Sequence, residues 1–375
     1  MLLNNSLAWR QPRLRVLANG ILLPGVIEAD ITSNNHYAAD RFRLTAALGA
    51  APVGAANVFS DTGQIAIDIA VSIDGGGSFT SLLQGVVDSV LIDPVLNTLS
   101  LRGRDYTSGL IEARTQETFA NQTSSDIATT LATRHALVAD VQATTTPVGR
   151  YWQLEHDRIT LDAFARAISE WDLLVALARI EGFDVWIDGT TLHFRPGLPQ
   201  SAPVAVLRPI ATLSGPANVT SLHLERTLTL ARDIEVTVKS WNSRQQTAFV
   251  QTARASRTTP ANTQGQAAKP QSYVYVVPNL TPDRALALAQ SRLAELSRHE
   301  RVILAEMPGD ITLTPRQQLR LEGTGTAFDQ IYWIDEIDRH IHAEHGFTQR
   351  LRARNATPGS QTTAPADPAA LAGVV

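Results

Sequence analysis

Residues 64–105 read QIAIDIAVSIDGGGSFTSLLQGVVDSVLIDPVLNTLSLRGRD. Ile65, Ile67, Ile69, Val71 and Ile73 alternate with Ala66, Asp68, Ala70 and Ser72, and a period of two marks a strand with one buried face. Asp74-Gly75-Gly76-Gly77-Ser78 follows, a loop that needs glycine because its sharp turn draws the backbone toward positive φ. A second apolar run, Leu82 to Ile92, stops at Asp93-Pro94, and a third, Thr98 to Arg102, stops at Gly103. Three strands with short polar turns predict an antiparallel meander, and the meander predicts the wall of a β-barrel that is part of a tube.

Working outward, Arg13 to Leu23 predicts two short strands around Asn19-Gly20, residues that tolerate the positive φ of a type I′ hairpin. Arg41 to Leu48 predicts another strand, and residues 50–56 a loop rich in Ala, Pro and Gly. Beyond Asp105 the period changes. Asn121 to Leu137 predicts a helix capped by Thr123 or Ser124, with Asp126 in its first turn. Thr160 to Ile180 predicts a second, with Leu161, Phe164, Ile168 and Trp171 on one stripe and Gly182 as its stop. Phe183 to Phe194 predicts a hairpin around Asp188-Gly189. Prolines between Pro196 and Pro216 mark a boundary, after which strands are expected at 220–230, 233–241 and 273–277. Arg254 to Gln271 is polar and expected to be a mobile loop. Thr281-Pro282-Asp283 opens a helix with buried Leu286, Ala289, Leu293 and Leu296. Strands are expected again at 301–307, 311–313, 318–321, 331–342 and 347–353. The division that results is a β region over 1–114, an α/β insert of two helices and a hairpin over 115–204, a second β region with one helix over 205–356, and a flexible Ala/Pro-rich tail over 357–375.

The chain has 375 residues and a net charge of −4, with a pI of about 6.1, so the totals do not suggest a nucleic-acid binder held by counterion release. Absence of cysteine excludes disulfides, thiol catalysis and cysteine metal sites. No run of ~20 apolar residues predicts a membrane span, and the N-terminus lacks the pattern of a secretory signal. A protein made inside a cell, or assembled there into a particle, is expected.

Glu155-His156-Asp157 are sequence neighbours whose side chains diverge, so a solvated turn outweighs an acid/base group. In Asp335 to His345, DEIDRHIHAEH, a strand puts Glu336, Asp338, His340 and His342 on one face and Asp335, Ile337, Arg339 and Ile341 on the other. Two histidines with carboxylates are divalent-metal chemistry, yet a polar outer face over a core of Ile337 and Ile341 explains the pattern as well. Asp74 to Ser78 lacks the Gly-Lys-Ser/Thr ending of a phosphate loop. Gly103-Arg104-Asp105 matches an integrin-binding tripeptide in letters only. No catalytic, cofactor-binding or metal residues are expected, and no cofactor.

Several short motifs nevertheless resemble one family in order and spacing: Leu99-Ser100-Leu101-Arg102-Gly103-Arg104-Asp105-Tyr106-Thr107, then Phe119 to Ile127, then the Gly-Phe-x-Val-x-x-Asp-Gly-x-x-Leu-x-Phe run of Gly182 to Phe194, then Pro308-Gly309-Asp310, Leu321 to Thr326 and Tyr332 to Ile337. Together, over residues 10–355, they resemble bacteriophage tail and baseplate hub proteins, the late control protein D family, and the hub half of the type VI secretion spike protein VgrG. That resemblance implies a mainly β fold with two tube-type β-barrel domains per chain, a homotrimer forming a pseudo-hexameric ring, and a symmetry adaptor between a six-fold tail tube and a three-fold central spike. Its partners would be the tube protein or tube initiator, the spike, other baseplate proteins and the tape measure protein, with DNA only in transit. It implies a virion structural protein assembled in the host cytoplasm, with lysozyme or spike activities on separate chains. An acidic lumen would repel phosphate, and Asp68, Asp88 and Asp93 are candidates for it. Two other classes compete: a tail-tip enzyme that cleaves cell wall or carbohydrate, supported only by abundant Asp, Glu and Trp, and a receptor-binding module.

Overall fold

A computed structural model describes residues 10–49, 59–115, 119, 122–145, 147–148, 168–197, 202–227, 234–242, 247–255, 271–277 and 280–356. Strands β1 (Arg13–Ala18) and β2 (Ile21–Leu22) form the expected hairpin, with Asn19 at φ 48° and Gly20 at φ 79°. Strands β3 (Val26–Asn34) and β4 (Arg41–Ala47) follow. The meander is present as β5 (Ala66–Ser72), β6 (Thr80–Asp93) and β7 (Thr98–Asp105), all antiparallel. Ile65, Ile67, Ile69 and Val71 are buried while Ala66 and Asp68 are half-buried, as the alternation predicts, but Ala70 and Ser72 are buried too, so the end of the strand is covered on both faces. The third strand does not stop at Gly103 but runs on to Asp105. Gly103 belongs inside it because the strands press together there. A Cβ at that position would lie 2.0 Å from the Val86 carbonyl oxygen and 2.6 Å from the Phe42 ring.

A short helix, α1 (Thr107–Glu112), leads to α2 (Ser124–Arg134). Thr123 caps α2 in a reciprocal box: its hydroxyl accepts from the Asp126 amide and the Asp126 carboxylate accepts from the Thr123 amide. Strand β8 (Val138–Val141) precedes α3 (Glu170–Glu181). Here the sequence reading needs correction. Ile168 and Ser169 form a short antiparallel pair with Arg114 and Thr115, and the Ser169 hydroxyl accepts from the Asp172 amide as the cap, so the helix starts at Glu170. The backbone bonds to 114–115 outcompete helical extension; Leu161 and Phe164 of the expected stripe lie outside the described residues. β9 (Phe183–Asp188) and β10 (Thr191–Pro196) form the hairpin, and β8 adds to β10 in parallel.

The remaining strands are β11 (Ala205–Leu207), β12 (Ser221–Arg226), β13 (Ile234–Asn242), β14 (Thr247–Ala255), β15 (Gln271–Val276), β16 (Arg301–Pro308), β17 (Gln318–Leu321), β18 (Ile331–His342) and β19 (Gly346–Asn355). Helix α4 (Pro282–Ser297) is capped by Thr281. It buries Ala285 and Ala289, flanked by Leu288, Leu293 and Leu296, against the β14-β13-β15 sheet; Leu286 is only half-buried. Residues 311–313 are not a strand, and the expected mobile loop falls mainly on residues 256–270, outside the described set.

The protein is mainly β. Among the described residues thirteen strands join in one sheet with the path β12-β16-β19-β18-β3-β4-β7-β6-β5-β1-β2, with β17 and β11 branching from β18. Strand β18 pairs with both β3 and β19, so the sheet passes from one β region into the other without a break. Its ends do not close on each other among the described residues, and no closed barrel forms. Behind the sheet lie two cores, one around Leu44, Ile67, Ile69, Leu99 and Leu101 and one around Ile303, Leu319, Tyr332, Ile337 and Leu351. A third, of Ile127, Leu131, Trp171, Leu174, Leu177, Val185 and Phe194, fills the α/β segment. No helix among the described residues is long and apolar enough to cross a membrane.

Candidate functional site

Four parts of the chain meet at one cleft of about 340 Å³. The β3–β4 connection supplies Tyr37 and Asp40, the end of β7 supplies Asp105, the β9–β10 hairpin supplies Asp184, Trp186 and His193, and the second β region supplies Arg316 and Arg339. Two of these, Tyr37 at φ 58° and Arg316 at φ 74°, sit in left-handed backbone that side chains other than Asn, Asp and Gly seldom adopt. Such a conformation costs on the order of 1 kcal/mol or more and persists where surrounding contacts impose it.

Those contacts are specific. The Tyr37 hydroxyl donates to Asp184 Oδ1 at 2.8 Å, the Trp171 indole N–H donates to the Tyr37 carbonyl at 2.7 Å, and the Arg179 guanidinium covers the tyrosine ring at 5.5 Å. Arg316 lies 3.9 Å from Asp184 Oδ2 and 5.2 Å above the Trp186 ring, whose other neighbour is the stacked His193 ring at 4.7 Å. Arg339 is 3% exposed; its guanidinium donates to the Leu313 carbonyl, and its Nε has no hydrogen-bond partner. Asp40 Oδ1 accepts from the Asn34 amide at 2.9 Å, and Asp105 accepts from the Thr107 amide and hydroxyl at 3.1 and 3.0 Å.

Burial dominates the electrostatics. It pushes the Asp40 carboxyl up to about 6, against the opposing pull of its Asn34 and Ser33 hydrogen bonds and of Arg316 and Arg339. It pushes Asp105 up to about 7, with the Asp40 charge adding to the shift. Burial also lowers Arg316, and Arg339 to about 10. The arrangement is an ion cluster that ties three cores together. It is not a sugar platform: one face of Trp186 carries Arg316, His193 stacks on the ring, Trp171 is 4% exposed, and Tyr37 is covered by Arg179.

Of the residues weighed for chemistry from sequence, Asp105 and Arg339 lie in the cleft and the others fall elsewhere. Asp105, the last letter of Gly103-Arg104-Asp105, is a member of the cluster, while Arg104 turns outward to pair with Asp88 at 2.6 Å and with Glu112. Glu336, Asp338, His340 and His342 do share the outer face of β18, where Asp338 accepts from Thr32 at 2.7 Å and His340 pairs with Asp30. Asp335 turns inward to Arg354 at 3.1 Å. No group of three potential metal ligands forms among the described residues. Glu155, His156 and Asp157 lie outside them. Asp74 closes its own hairpin loop by accepting from Gly77 and Ser78. The three lumen candidates each have a local partner: Asp68 accepts from Ser81, Asp88 pairs with Arg104, and Asp93 accepts from the Val95 and Leu96 amides. Sequence reasoning missed Tyr37, Asp40 and Arg316, none of which lies in a motif, and named Arg339 only as part of the inner face of residues 335–341; only the fold brings the four together.

The fold is that of phage tail proteins, as the hub resemblance implies. It matches the tail protein from Neisseria meningitidis MC58 at TM-score 0.67 and 18% identity, covering 92% of this chain and 97% of that one. It matches the 43 kDa tail protein of prophage MuSo2 from Shewanella oneidensis at 0.66 and 15%, covering 92% and 98%. A type VI secretion component, the E. coli c3393 protein, matches at 0.52 and 12%, covering 91% and 77%. Identities this low speak to fold alone. No curated protein matches the chain significantly by sequence. A family model does: the Alg8 N-terminal domain matches residues 68–343, and the chain belongs to that family.

Proposed function

We propose that the chain is a structural tail hub, a homotrimer that joins a six-fold tail tube to a three-fold spike and leaves a channel for DNA. The division into tube-type units at 1–114 and 205–356, with the insert at 115–204 and a tail at 357–375, belongs to the same proposal. One observation carries it. A single sheet runs through both β regions and ends in strands β12 and β2, each with one neighbour in the sheet among the described residues. Strand edges of this kind invite pairing with another chain, and a head-to-tail contact closes into a ring when its rotation permits. Two β units per chain then make three copies present six similar positions. The fold shared with tail proteins supports the reading, and the cleft fits a structural role, since its charged groups face one another and its aromatic rings are covered. The family description names a domain and no reaction. The partners are the tube, spike, tape measure and other baseplate proteins, and the location is the virion. Light scattering and electron microscopy of purified protein test this: a three-fold ring with a central hole is expected, and a monomer at high concentration, alone and with tube and spike partners, would sink it.

A further inference from the structure

The solvent face of the long sheet carries a charge pattern that the core does not require. Across the strands, Glu306 on β16 stands beside Arg350 on β19, and the row continues through Asp338 on β18, Thr32 on β3, Arg41 on β4 and Arg104 on β7. The next row runs Thr348, His340, Asp30, Arg43 and Arg102. Arg352 faces Glu336 two positions along. The face therefore holds two arginine rails, Arg350 and Arg352 on one strand and Arg41, Arg43, Arg102 and Arg104 on two others, with an acidic trough of Asp30, Asp338 and Glu336 between them.

Two facts single out the rails. Arg41 opposes Arg104 and Arg43 opposes Arg102 directly across the ladder, an arrangement of like charges that destabilises a sheet unless something neutralises it. Arg104 has Asp88 and Glu112. Arg41, Arg43, Arg102, Arg350 and Arg352 are exposed and have no ion pair among the described residues. Carboxylates stand beside some of them across the ladder, Asp338 and Glu306 beside Arg350, Glu336 beside Arg352 and Asp30 beside Arg43, but none closes an ion pair with these five, and guanidinium groups left open to solvent in two rows point to an anionic partner outside the chain. Geometry narrows it. Three strand spacings of ~4.8 Å put the rails ~14 Å apart, close to the ~12 Å major groove of B-DNA. Arginine is suited to phosphate because its planar fork matches phosphate oxygens. A duplex laid with its groove over the trough sets each phosphate strand on a rail and keeps the acids off the phosphates.

We infer that this face, from β19 to β7, contacts the phosphate backbone of duplex DNA, and is the channel-lining face if the hub reading holds. The acidic trough and the net charge of −4 keep the contact weak and salt-sensitive, as passage requires. It replaces the expectation of a repelling wall with one of balanced attraction.

The test is fluorescence anisotropy of a labelled random-sequence duplex of about 20 base pairs with the full chain, from about 50 to 200 mM salt. With about four phosphates contacted, log K should fall against log salt with a slope of about −4. Arg43→Glu/Arg102→Glu and, separately, Arg350→Glu/Arg352→Glu should each lose at least about tenfold in affinity and about 2 in slope, while Lys239→Glu, exposed on the other sheet, changes neither. The glutamine versions serve if a glutamate pair misfolds by circular dichroism. Absent binding at low salt, unchanged binding by both rail variants, or displacement by poly-L-glutamate as effective as by unlabelled duplex would each overturn the inference; the last would assign the face to an acidic protein. Oligomeric state is measured on the same samples. A monomer that binds DNA through the rails removes the ring and leaves this inference standing, and a ring that ignores DNA does the reverse.

Discussion

Arg316→Gln probes the cleft most directly. The guanidinium lies 3.9 Å from Asp184, with their side chains 13% and 28% exposed. At an effective dielectric of ~20 that pair is worth about 4 kcal/mol gross, and the Trp186 contact adds about 1 kcal/mol. Desolvation of the guanidinium offsets part of this, so the expected net loss near pH 8 is about 3 kcal/mol, in the range for removing one partner of a buried pair. Glutamine keeps the left-handed backbone strain at φ 74°, so strain does not enter the difference. The effect carries a pH signature. At pH 8 Asp40 and Asp105 are largely ionised, with values of about 6 and 7, and the variant leaves them facing a weaker positive field. At pH 5 both are largely protonated, their share of the interaction is gone, and the loss should shrink to about 1–2 kcal/mol. Urea unfolding followed by tryptophan fluorescence, with Trp171 and Trp186 beside the cleft, reads both. Equal losses at the two pH values, or a loss under about 1 kcal/mol at pH 8, would refute the coupling.

Asp105→Asn tests the same cluster from the acid side. A carboxyl raised to about 7 binds its proton more tightly folded than unfolded, so its presence lowers stability as pH climbs from about 4 through 7. The asparagine variant should match wild type at pH 4 and exceed it by about 1–3 kcal/mol at pH 8, measured by urea unfolding. Gly103→Ala places a methyl 2.0 Å from the Val86 oxygen and should cost about 2–4 kcal/mol, seen as a large fall in melting temperature. Thr123→Ala removes the α2 cap and should cost about 1 kcal/mol, visible as faster amide exchange at the helix start.

What could be read from sequence was what depends on neighbours along the chain. Asn19-Gly20, Thr123 with Asp126, and Thr281-Pro282 each announce a local structure whose reason lies within four residues, and each is present. The alternation from Ile65 to Val71 is of the same kind. The α3 start failed because Ile168 and Ser169 bond to a strand more than fifty residues upstream, and a helical stripe carries no sign of that competitor. The charged cleft failed for a related reason. Asp40 and Arg316 are ordinary polar residues in their own segments, and only the pairing of β18 with β3 brings their regions together. The rails lay in plain view as alternating arginines, yet their meaning depends on which strands are adjacent.

Strand β3 has a consequence for the timing of synthesis. Its central partner in the sheet is β18, with Thr32 and Asp338 joined across 306 residues of sequence. At ~5–20 residues per second, the ribosome needs about 15–60 s to deliver the second after the first. Until then β3 has β4 on one side and an open edge on the other. Nascent chains released before residue 331 should therefore show β3 open to proteolysis and full-length chains should not. A truncated product lacks β18 and β19, the strands that join the two halves of the sheet, so the last strands made are the ones that make the sheet continuous.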